Sequence, residues 1–279
     1  MTSKCGRIAI IGKPNVGKST LLNHLVQQKI SITTRKSQTT QSNIFGIRTC
    51  GDAQLIFVDT PGLHLKRPRK INARMNKCAQ RSVVDCELVI FMVDRAHFND
   101  NDEFALSLVK SCQKPTVLVV NKIDRHHDKV ATAELISRLQ DEHPFVAVHR
   151  LSAFNKHHVH TLEKTLIEHL PENEHAYQED TLTTQDEPFM ICELIRESLI
   201  DSVYDELPYE TSIELFHRQD KEDAVTIDAN IWVERAVQKP IIIGHRASKI
   251  KHISMKSREK IERLLEKKVH LRLWVKHKD

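Results

Sequence analysis

The decisive stretch of this chain is Gly12-Lys13-Pro14-Asn15-Val16-Gly17-Lys18-Ser19, which directly follows the apolar run Arg7-Ile8-Ala9-Ile10-Ile11. A buried strand that ends in a glycine-rich turn and opens a helix aims several backbone N–H groups at one point, and this arrangement favours a polyphosphate. In a G-x-x-x-x-G-K-S loop, Lys18 reaches the outer phosphates and the Ser19 hydroxyl holds Mg²⁺. The alternative is an accidental glycine turn, which the strand before it and the helix after it disfavour.

A second motif, Asn121-Lys122-Ile123-Asp124, follows the apolar run 116–120, so we expect it at the carboxyl end of a strand, where open α/β sheets bind ligands. The Asp124 carboxylate can accept hydrogen bonds from both the ring N–H and the exocyclic amine of guanine, whereas adenine offers no such donor pair. Guanine is therefore predicted over adenine. Ser152 and Ala153 follow another apolar stretch, and we expect them to bring a backbone N–H to the guanine oxygen.

A third motif, Asp59-Thr60-Pro61-Gly62, ends the apolar run 55–58. Asp59 is placed to bind Mg²⁺ through a water molecule, and the Gly62 amide is placed to contact a γ-phosphate because glycine lets the backbone approach closely. A plain Asp-Thr-Pro-Gly turn is the alternative for this motif taken alone. Its position between the phosphate loop and Asn121 favours the nucleotide interpretation.

These motifs and Gln38-Thr39-Thr40 occur in the order typical of a GTPase domain, and the chain closely resembles that superfamily. The resemblance implies that GTP and GDP bind to Gly12–Thr20, Asp59–Leu63, Asn121–Asp124, Ser152 and Ala153. It also implies that Ser19, Thr40 and Asp59 hold Mg²⁺, with Thr40 chosen over Thr39 because the metal-binding threonine of the family is the later of such a pair. The predicted catalytic residues are Lys18, Thr40 and Gly62.

Leu63 stands where Ras-like GTPases carry a glutamine that orients the attacking water, so hydrolysis must be organised differently here. Asn15 resembles the asparagine of a GTPase subgroup that holds K⁺ beside the phosphates, and we predict a K⁺ site near it. No general base stands out, but phosphoryl transfer depends mainly on positioning and charge neutralisation. The polar segments 28–42 and 63–74 are predicted switch loops, with ordinary mobile surface loops as the alternative for 65–70.

The chain of 279 residues is long enough for two domains, each with a core of its own. No apolar run approaches the roughly 18 residues that span a bilayer, and the first residues lead straight into a strand. We therefore expect a cytoplasmic protein without a transmembrane segment. The six cysteines lack Cys-x-x-Cys spacing, which favours reduced thiols, and the 17 histidines lack supporting metal ligands and receive no role.

The net charge of +5 is distributed unevenly along the chain. Residues 235–279 contain fourteen Lys and Arg against four Asp and Glu, a local charge of +10, so the preceding residues carry −5. This basic part indicates a polyanionic partner, although a basic surface that is merely solvated is the alternative from charge alone.

Residues 171–187 are acidic and polar, and we predict that they link a domain of residues 1–170 to a domain of residues 188–279. After this linker, apolar residues recur at helical spacing from Phe189 to Val203. Two strand-like runs follow at 211–216 and 224–233, joined by a hairpin loop at 218–223. The run 241–251, a helix from about Met255 to Leu265 and a strand at 269–275 complete the order α-β-β-α-α-β.

This second part resembles a KH domain, whose Gly-x-x-Gly loop clamps the backbone of about four nucleotides of single-stranded nucleic acid. The predicted RNA-binding residues are Gly244, His245, Arg246, Ala247, Lys249 and Lys251, with Ile242, Ile243 and Ile250 as an apolar floor for the bases. Ala247 occupies the second glycine position, so its methyl group is expected to weaken RNA binding, at a cost of about 1 kcal/mol if φ is positive. A small basic α+β domain without a ligand is the alternative.

A GTPase domain joined to a C-terminal KH domain, with these motifs in order, closely resembles the bacterial Era family over essentially the whole chain. The implied fold class is α/β, a P-loop GTPase domain with a mostly parallel sheet and helices on both faces, followed by an α+β type II KH domain. The resemblance further implies binding to the 3′ end of small-subunit (16S) ribosomal RNA, a role in assembly of the small ribosomal subunit, and peripheral contact with the inner membrane. A monomer is expected.

The leading functional hypothesis is a switch in which GTP orders the switch loops, resets the packing between the domains and changes the affinity for RNA. One alternative is an RNA-binding module whose nucleotide is structural and hardly turns over, which the missing glutamine beside Gly62 would permit. Another is a GTPase that acts on protein or membrane partners, with its basic part against anionic lipid. The pattern of a packed α+β domain disfavours this last alternative.

Overall fold

A computed structural model of the chain describes residues 3–34, 36, 40, 43–63, 70–94, 98–125, 128–203 and 211–277, with the backbone alone for residues 70–75. The chain forms two compact units. Residues 1–31 and 40–184 form the first unit, and residues 32–39 and 185–279 form the second. In the described ranges, every helix is too short or too polar to cross a lipid bilayer.

The first unit alternates strands and helices along the chain, the pattern that predicts a parallel sheet. Its strands are β1 (Lys4–Ile11), β2 (Ile44–Cys50), β3 (Ala53–Asp59), β4 (Leu88–Val93), β5 (Thr116–Val120) and β6 (Ala147–Arg150), and its helices are α1 (Lys18–Val26), α2 (Lys70–Val84), α3 (Asp100–Cys112), α4 (Lys129–Glu142) and α5 (Lys156–Glu168). The sheet order is β2-β3-β1-β4-β5-β6, with β2 antiparallel to β3 and the other neighbours parallel. The predicted mostly parallel sheet is confirmed.

The central strands are nearly continuous apolar runs because helices cover both faces of the sheet. Residues of α2, α3 and α4 share one core with Ala9, Ile11 and Phe91, whereas α1 contacts β2, β3 and α5. Since β1, β3, β4 and β5 run parallel, their carboxyl ends meet at one edge of the sheet. That edge carries the three sequence motifs.

Residues 171–184, which the sequence predicted within a linker, belong to the first unit and bond to its sheet. Gln54 donates to the carbonyl of Tyr177 at 2.9 Å and accepts from the Tyr177 N–H at 3.0 Å. Farther along, Ile47 N–H donates to Leu182 O at 2.8 Å, and Thr183 pairs with Gly46 beside β2. The pattern of apolar residues could not predict that this segment binds to the sheet, because backbone groups make most of these contacts.

The second unit is an α+β fold built on a three-stranded sheet. Its elements are α6 (Glu187–Ser202), β7 (Thr211–Asp220), β8 (Ala224–Val233), α7 (Lys239–Ile243), α8 (Ser248–Leu265) and β9 (Lys268–His277). The strand order is β7-β8-β9, with β8 antiparallel to β7 and parallel to β9. The predicted order α-β-β-α-α-β and the type II KH fold are confirmed.

Three boundaries differ from the sequence-based predictions. The hairpin between β7 and β8 is shorter than predicted, because residues 217–220 continue β7 and pair with residues 225–228 of β8. Helix α8 begins at Ser248 rather than near Met255, directly after the loop of residues 244–247. Residues 70–74 of the second predicted switch loop belong to α2. Residues 64–69 of that loop, and residues 35, 37–39, 41 and 42 of the first, lie outside the described residues.

Part of the first predicted switch segment groups with the second unit through α6. The Thr33 N–H donates to Oε1 of Glu197 at 2.9 Å, and Lys260 of α8 lies 2.8 Å from the other oxygen of this buried carboxylate. Lys36 donates to the carbonyls of Ile200 and Val203 at the C-terminal end of α6. A cation is favoured there because the C-terminal end of a helix, with its terminal carbonyl groups, carries a partial negative charge.

Candidate nucleotide site and KH loop

The phosphate loop joins β1 to α1, and its geometry requires both of its glycines. Gly17 has φ +107°, and a Cβ there would lie 2.4 Å from Nδ2 of Asn121. A Cβ on Gly12 would lie 2.3 Å from the carbonyl oxygen of Met92 in β4. The loop therefore packs too closely on the sheet for any side chain at these positions, and it leads its backbone N–H groups into the start of α1.

Lys18 is buried at the first position of α1, with its ammonium group folded back over the loop. Its Nζ donates to the carbonyl oxygens of Gly12 at 3.1 Å and Lys13 at 3.0 Å. Burial lowers the pKa of Lys18 to about 8, while the charge of Asp59 opposes this shift. A phosphate beside this ammonium group would favour the protonated form, so the lysine is matched to an anionic ligand.

The three predicted metal ligands come from different parts of the chain and lie close together. Ser19 and Thr40 are beside the third, the Asp59 carboxylate. The Ser19 hydroxyl donates to Oδ2 of Asp59 at 2.6 Å, and Oγ1 of Thr40 lies 3.2 Å from Oγ of Ser19. Asp59 is fully buried, and burial raises its pKa. Its Oδ1 has no hydrogen-bond partner among the described residues. A cluster of hydroxyl and carboxylate oxygens with one buried oxygen left over fits a hard divalent cation such as Mg²⁺.

Ser31 joins this cluster and was missed by the sequence analysis. Its hydroxyl donates to Oδ2 of Asp59 at 2.9 Å. Asn23 of α1 holds the backbone here, because its Oδ1 accepts the N–H groups of Ile30 and Ser31 and its Nδ2 donates to Ser31 O. A lone serine outside a motif offers no pattern, so only the folded backbone reveals its position.

The segment after β3 lies directly against the phosphate loop. Thr60 donates its hydroxyl to Ile10 O at 2.7 Å, and a Cβ on Gly62 would meet three atoms of Pro14 at 2.7–2.9 Å. The Leu63 side chain is fully buried in the core shared by α2, α3 and α4. Leu63 can therefore contribute only its backbone to the site, and its side chain cannot take the place of a water-orienting glutamine.

The buried side chain of Asn121 links the base-recognition motif to two neighbouring loops. Its Nδ2 donates to Val16 O at 2.8 Å, and its Oδ1 accepts the Ala153 N–H at 2.9 Å, so one side chain ties the phosphate loop to the Ser152-Ala153 loop. Asp124 lies in a short 3₁₀ turn, and its carboxyl group is about half exposed, with 47% of the side chain accessible. The structure thus gathers the predicted base-binding residues at one edge, with the Asp124 side chain about half exposed.

Lys122 and Lys13 form an ion-pair network that the sequence analysis did not anticipate. Lys122 has φ +61°, donates to Asn15 O and lies 2.9 Å from Asp94. Lys13 of the phosphate loop contacts both Asp94, at 3.4 Å, and Asp102 of α3, at 2.7 Å. Burial opposes ionisation of Asp94, but the hydrogen bond from Lys122 and the charge of Lys13 keep the pKa of Asp94 below its ordinary value. These contacts fix the phosphate loop against β4 and α3.

The predicted RNA-binding loop connects α7 to α8 in the second unit. Gly244 has φ +74°, Arg246 has φ +49° and Ala247 has φ +61°, so the loop makes two successive left-handed residues before α8. Ala247 therefore carries the strain that the sequence predicted for a positive φ. Arg246 and Lys251 are exposed, and Lys249 packs beside Gly244.

The predicted apolar floor beside this loop needs a correction. Ile242 is fully buried in a core with Leu199, Val203, Ile231 and Ile253, because the short helix α7 turns it inward. Ile250 packs against the same core and is partly buried, and Ile243 is partly exposed. Ile242 is thus structural, and the other two isoleucines are the candidates for contact with a base.

Comparisons with known proteins identify the families of both units. The family described as "50S ribosome-binding GTPase" matches residues 7–122, and the KH domain family matches residues 206–279. GTPase Era of Pseudomonas fluorescens is 42% identical over 276 residues, which cover 99% of this chain and 92% of that protein. GTPase Era of Azotobacter vinelandii is 42% identical over 275 residues with the same coverage.

Two solved structures are similar over both units. A crystal structure of Era in complex with MgGDPNP and nucleotides 1506–1542 of 16S ribosomal RNA has a TM-score of 0.92 and 32% identity, and it covers 99% of this chain and 94% of that chain. A variant of Aquifex aeolicus Era bound to GDP and AlF₄⁻ gives the same values. From the motifs gathered at the sheet edge and from these likenesses, we conclude that the chain belongs to the Era family of GTPases.

Proposed function

We propose that this GTPase binds GTP and GDP with Mg²⁺ at the carboxyl edge of the first sheet, and that its KH loop binds the 3′ end of 16S ribosomal RNA during small-subunit assembly. The observation that carries the nucleotide part is the meeting of Ser19, Thr40 and Asp59, with the buried Oδ1 of Asp59 left over. The complex of a 32% identical Era with MgGDPNP supports the metal and the nucleotide.

The residues of the site divide the work of phosphoryl transfer. Ser19, Thr40 and Asp59 would hold the metal, which supplies charge neutralisation for the transferring phosphoryl group when it is bound. Lys18 would move its ammonium group from the carbonyls of Gly12 and Lys13 to the outer phosphates. The Gly62 backbone, which lies close against Pro14, would offer its amide to a γ-phosphate. In the absence of a glutamine beside Gly62, positioning and charge organise the in-line water.

A K⁺ ion is proposed near Asn15, where it would supply the positive charge that an arginine finger supplies in other GTPases. The backbone at Asn15 has φ +65° and its carbonyl accepts from Lys122, so this turn of the phosphate loop is held in one conformation. The test is the GTP hydrolysis rate in KCl and in NaCl at equal ionic strength. A faster rate in KCl that Asn15→Ala removes is expected, and equal rates in the two salts would remove the potassium site.

Guanine selectivity is assigned to Asp124. Replacement by asparagine exchanges one of the two acceptor oxygens for an NH₂ donor, so Asp124→Asn should weaken GDP binding and favour xanthosine diphosphate. Asp128→Asn is the matched control, because Asp128 caps α4 through Ala131 at 2.9 Å outside the site. Fluorescent-nucleotide competition measures both. Unchanged preference for GDP in Asp124→Asn would contradict the assignment.

RNA binding is assigned to the loop at Gly244 with Arg246, Lys249 and Lys251. Fluorescence anisotropy of a short RNA that copies the 3′ end of 16S ribosomal RNA, with the protein loaded with a GTP analogue or GDP, tests both binding and coupling. The double change Arg246→Glu and Lys249→Glu should weaken binding and flatten the salt dependence, whereas Lys267→Glu, at an exposed position before β9, is the control. Equal RNA affinity in the GTP-analogue and GDP states would mean that nucleotide binding and RNA binding are not coupled.

The remaining proposals concern turnover, location and assembly state. A nucleotide that is merely structural would show no hydrolysis in a single-turnover assay, which separates that alternative from a switch. We further propose a cytoplasmic monomer whose contact with the inner membrane is peripheral. Flotation with anionic vesicles at the salt used for RNA binding tests the membrane contact, and light scattering of the nucleotide-loaded protein tests the monomer.

A further inference from the structure

The outward face of the sheet β7-β8-β9 carries an aromatic cluster that the proposed RNA-binding loop does not use. We call this surface the aromatic face, and it comprises Phe216, Trp232, Arg272, Trp274 and Lys276. The side chains of Phe216 and Trp274 are 50% and 40% exposed, values unusual for large rings in a folded domain. Both tryptophans of the chain lie here.

Strand alternation places these rings opposite the helices of the unit. On β8, Val225, Ile227 and Ala229 point into the core with Ile191 of α6 and Ile261 of α8, so Trp232 points outward with its neighbours on β9. Trp274 and Lys276 pair with Asn230 and Trp232. An irregularity in β7 between residues 215 and 217 adds Phe216 to the same side, where its ring centroid lies 5.4 Å from that of Trp274.

The rings are combined with positive charge. The Arg272 guanidinium lies 5.8 Å from the Trp274 ring, and Lys276 Nζ lies 5.5 Å from the Phe216 ring and 5.7 Å from the Trp232 ring. Among the described residues, two carboxylates on this side contact the face itself. Asp228 binds Arg272 at 2.6 and 2.7 Å, and Glu214 accepts from Trp232 Nε1 at 2.6 Å. The surface is therefore a set of rings beside two cations, of which Arg272 is already paired with Asp228 and Lys276 lies against the Phe216 and Trp232 rings.

We propose that the aromatic face is a second binding site for single-stranded nucleic acid, in which unpaired bases stack on Phe216 and Trp274, Lys276 contacts a phosphate, and the guanidinium of Arg272, held by Asp228, extends the stacking surface. Flat sheet surfaces with exposed rings suit bases that are not already stacked in a duplex, and a guanidinium plane is itself a stacking surface. The Lys276 ammonium group, which lies beside the Phe216 and Trp232 rings, complements a phosphate next to a stacked base. This site goes beyond the proposed binding at residues 244–247, from which it differs in its elements and in its chemistry.

The intrinsic fluorescence of the full-length protein reports on this face, because both tryptophans belong to it. Single-stranded oligoadenylate of about ten nucleotides, a length within the usual range of such sites, is titrated into the protein, and a duplex of equal length serves as the control ligand. Stacking predicts saturable quenching by the single strand and none by the duplex. In the variant with Arg246→Glu and Lys249→Glu, this quenching should persist, which separates the aromatic face from the loop.

Affinity measured by anisotropy of the labelled oligonucleotide locates the contacts. Phe216→Ala and Trp274→Ala should each weaken binding by about 5- to 150-fold when tested in the loop variant. Lys276→Gln should lower the slope of log affinity against log salt by about one, without removing a ring. Met255→Ala, at a residue of α8 that is 49% exposed, is the matched control and should leave the affinity unchanged.

Three outcomes would overturn the proposal. Absence of quenching by the single strand would show that the rings do not stack on bases. Unchanged affinity in Phe216→Ala, Trp274→Ala and Lys276→Gln would place the oligonucleotide elsewhere. A spectral shift on adding vesicles of anionic phospholipid, with none on adding oligoadenylate at the same salt, would assign the face to a lipid surface instead.

Discussion

Replacement of Gly17 by alanine separates the two reasons why the phosphate loop requires glycine. At φ +107° an L-residue costs about 1–2 kcal/mol in backbone strain. The new Cβ would also stand 2.4 Å from Nδ2 of Asn121 and displace that side chain, which would break its bonds to Val16 O and Ala153 N. Each bond contributes about 1 kcal/mol, so the total loss is about 3–4 kcal/mol, part of it in stability and part in nucleotide affinity.

Gly51→Ala is the control, because Gly51 also has positive φ, +55°, but no described atom lies within 4 Å of the position of its Cβ. It should cost the backbone strain alone. Denaturation measures stability, and the binding of a fluorescent GDP analogue measures affinity. We expect Gly17→Ala to bind GDP at least 10-fold more weakly than Gly51→Ala, which should match the parent protein. Equal GDP affinity and equal stability in the two variants would refute the role given to Asn121.

Three further predictions concern the second unit and the thiols. Lys260→Met removes the Lys260 ammonium group from the buried Glu197, so the free energy of unfolding, followed by tryptophan emission, should fall by about 2–3 kcal/mol and recover when Glu197→Gln is added; no recovery would contradict the pairing. Ala247→Gly relieves a residue at φ +61° and should raise stability by about 1 kcal/mol and tighten RNA binding, and a loss of stability would count against strain in this loop. Burial raises the pKa of Cys86 from 9.0 to about 11, so its alkylation at pH 8, read by mass spectrometry, should be slow until denaturant unfolds the protein. The free energy of unfolding should fall as the pH rises from 9.0 toward 11, since only the thiol of the unfolded chain ionises in that range.

The nucleotide site was largely predictable because its residues follow apolar runs that must become parallel strands. Asp59 and Asn121 each come directly after such a run, and the carboxyl ends of parallel strands share one edge. The same logic could not find Ser31, whose hydroxyl reaches Asp59 only because Asn23 holds the backbone of the intervening loop. Nor could it find the pairing of Lys13 with Asp102, since the two residues belong to separate elements and neither lies in a periodic pattern.

In the KH unit, the fold was predictable and the details of the loop were not. Apolar periodicity identified every strand, but it treated Ile242 as a surface residue, because a five-residue helix is too short to show a period. The start of α8 was also hidden, since the left-handed residues Arg246 and Ala247 turn the chain without the usual Ser, Thr, Asp or Asn cap.

The strand beside residues 182 and 183 has one more consequence. β2 is the outermost strand of its sheet, and its open side would otherwise offer unpaired N–H and C=O groups to a strand from another molecule. The Ile47 N–H is taken by Leu182 O, and the Phe45 carbonyl accepts the Thr183 hydroxyl at 2.6 Å. Residues 182 and 183 thus block intermolecular β-pairing at this edge. Proteolytic release of this short stretch would expose the open side of β2 as a template for aggregation.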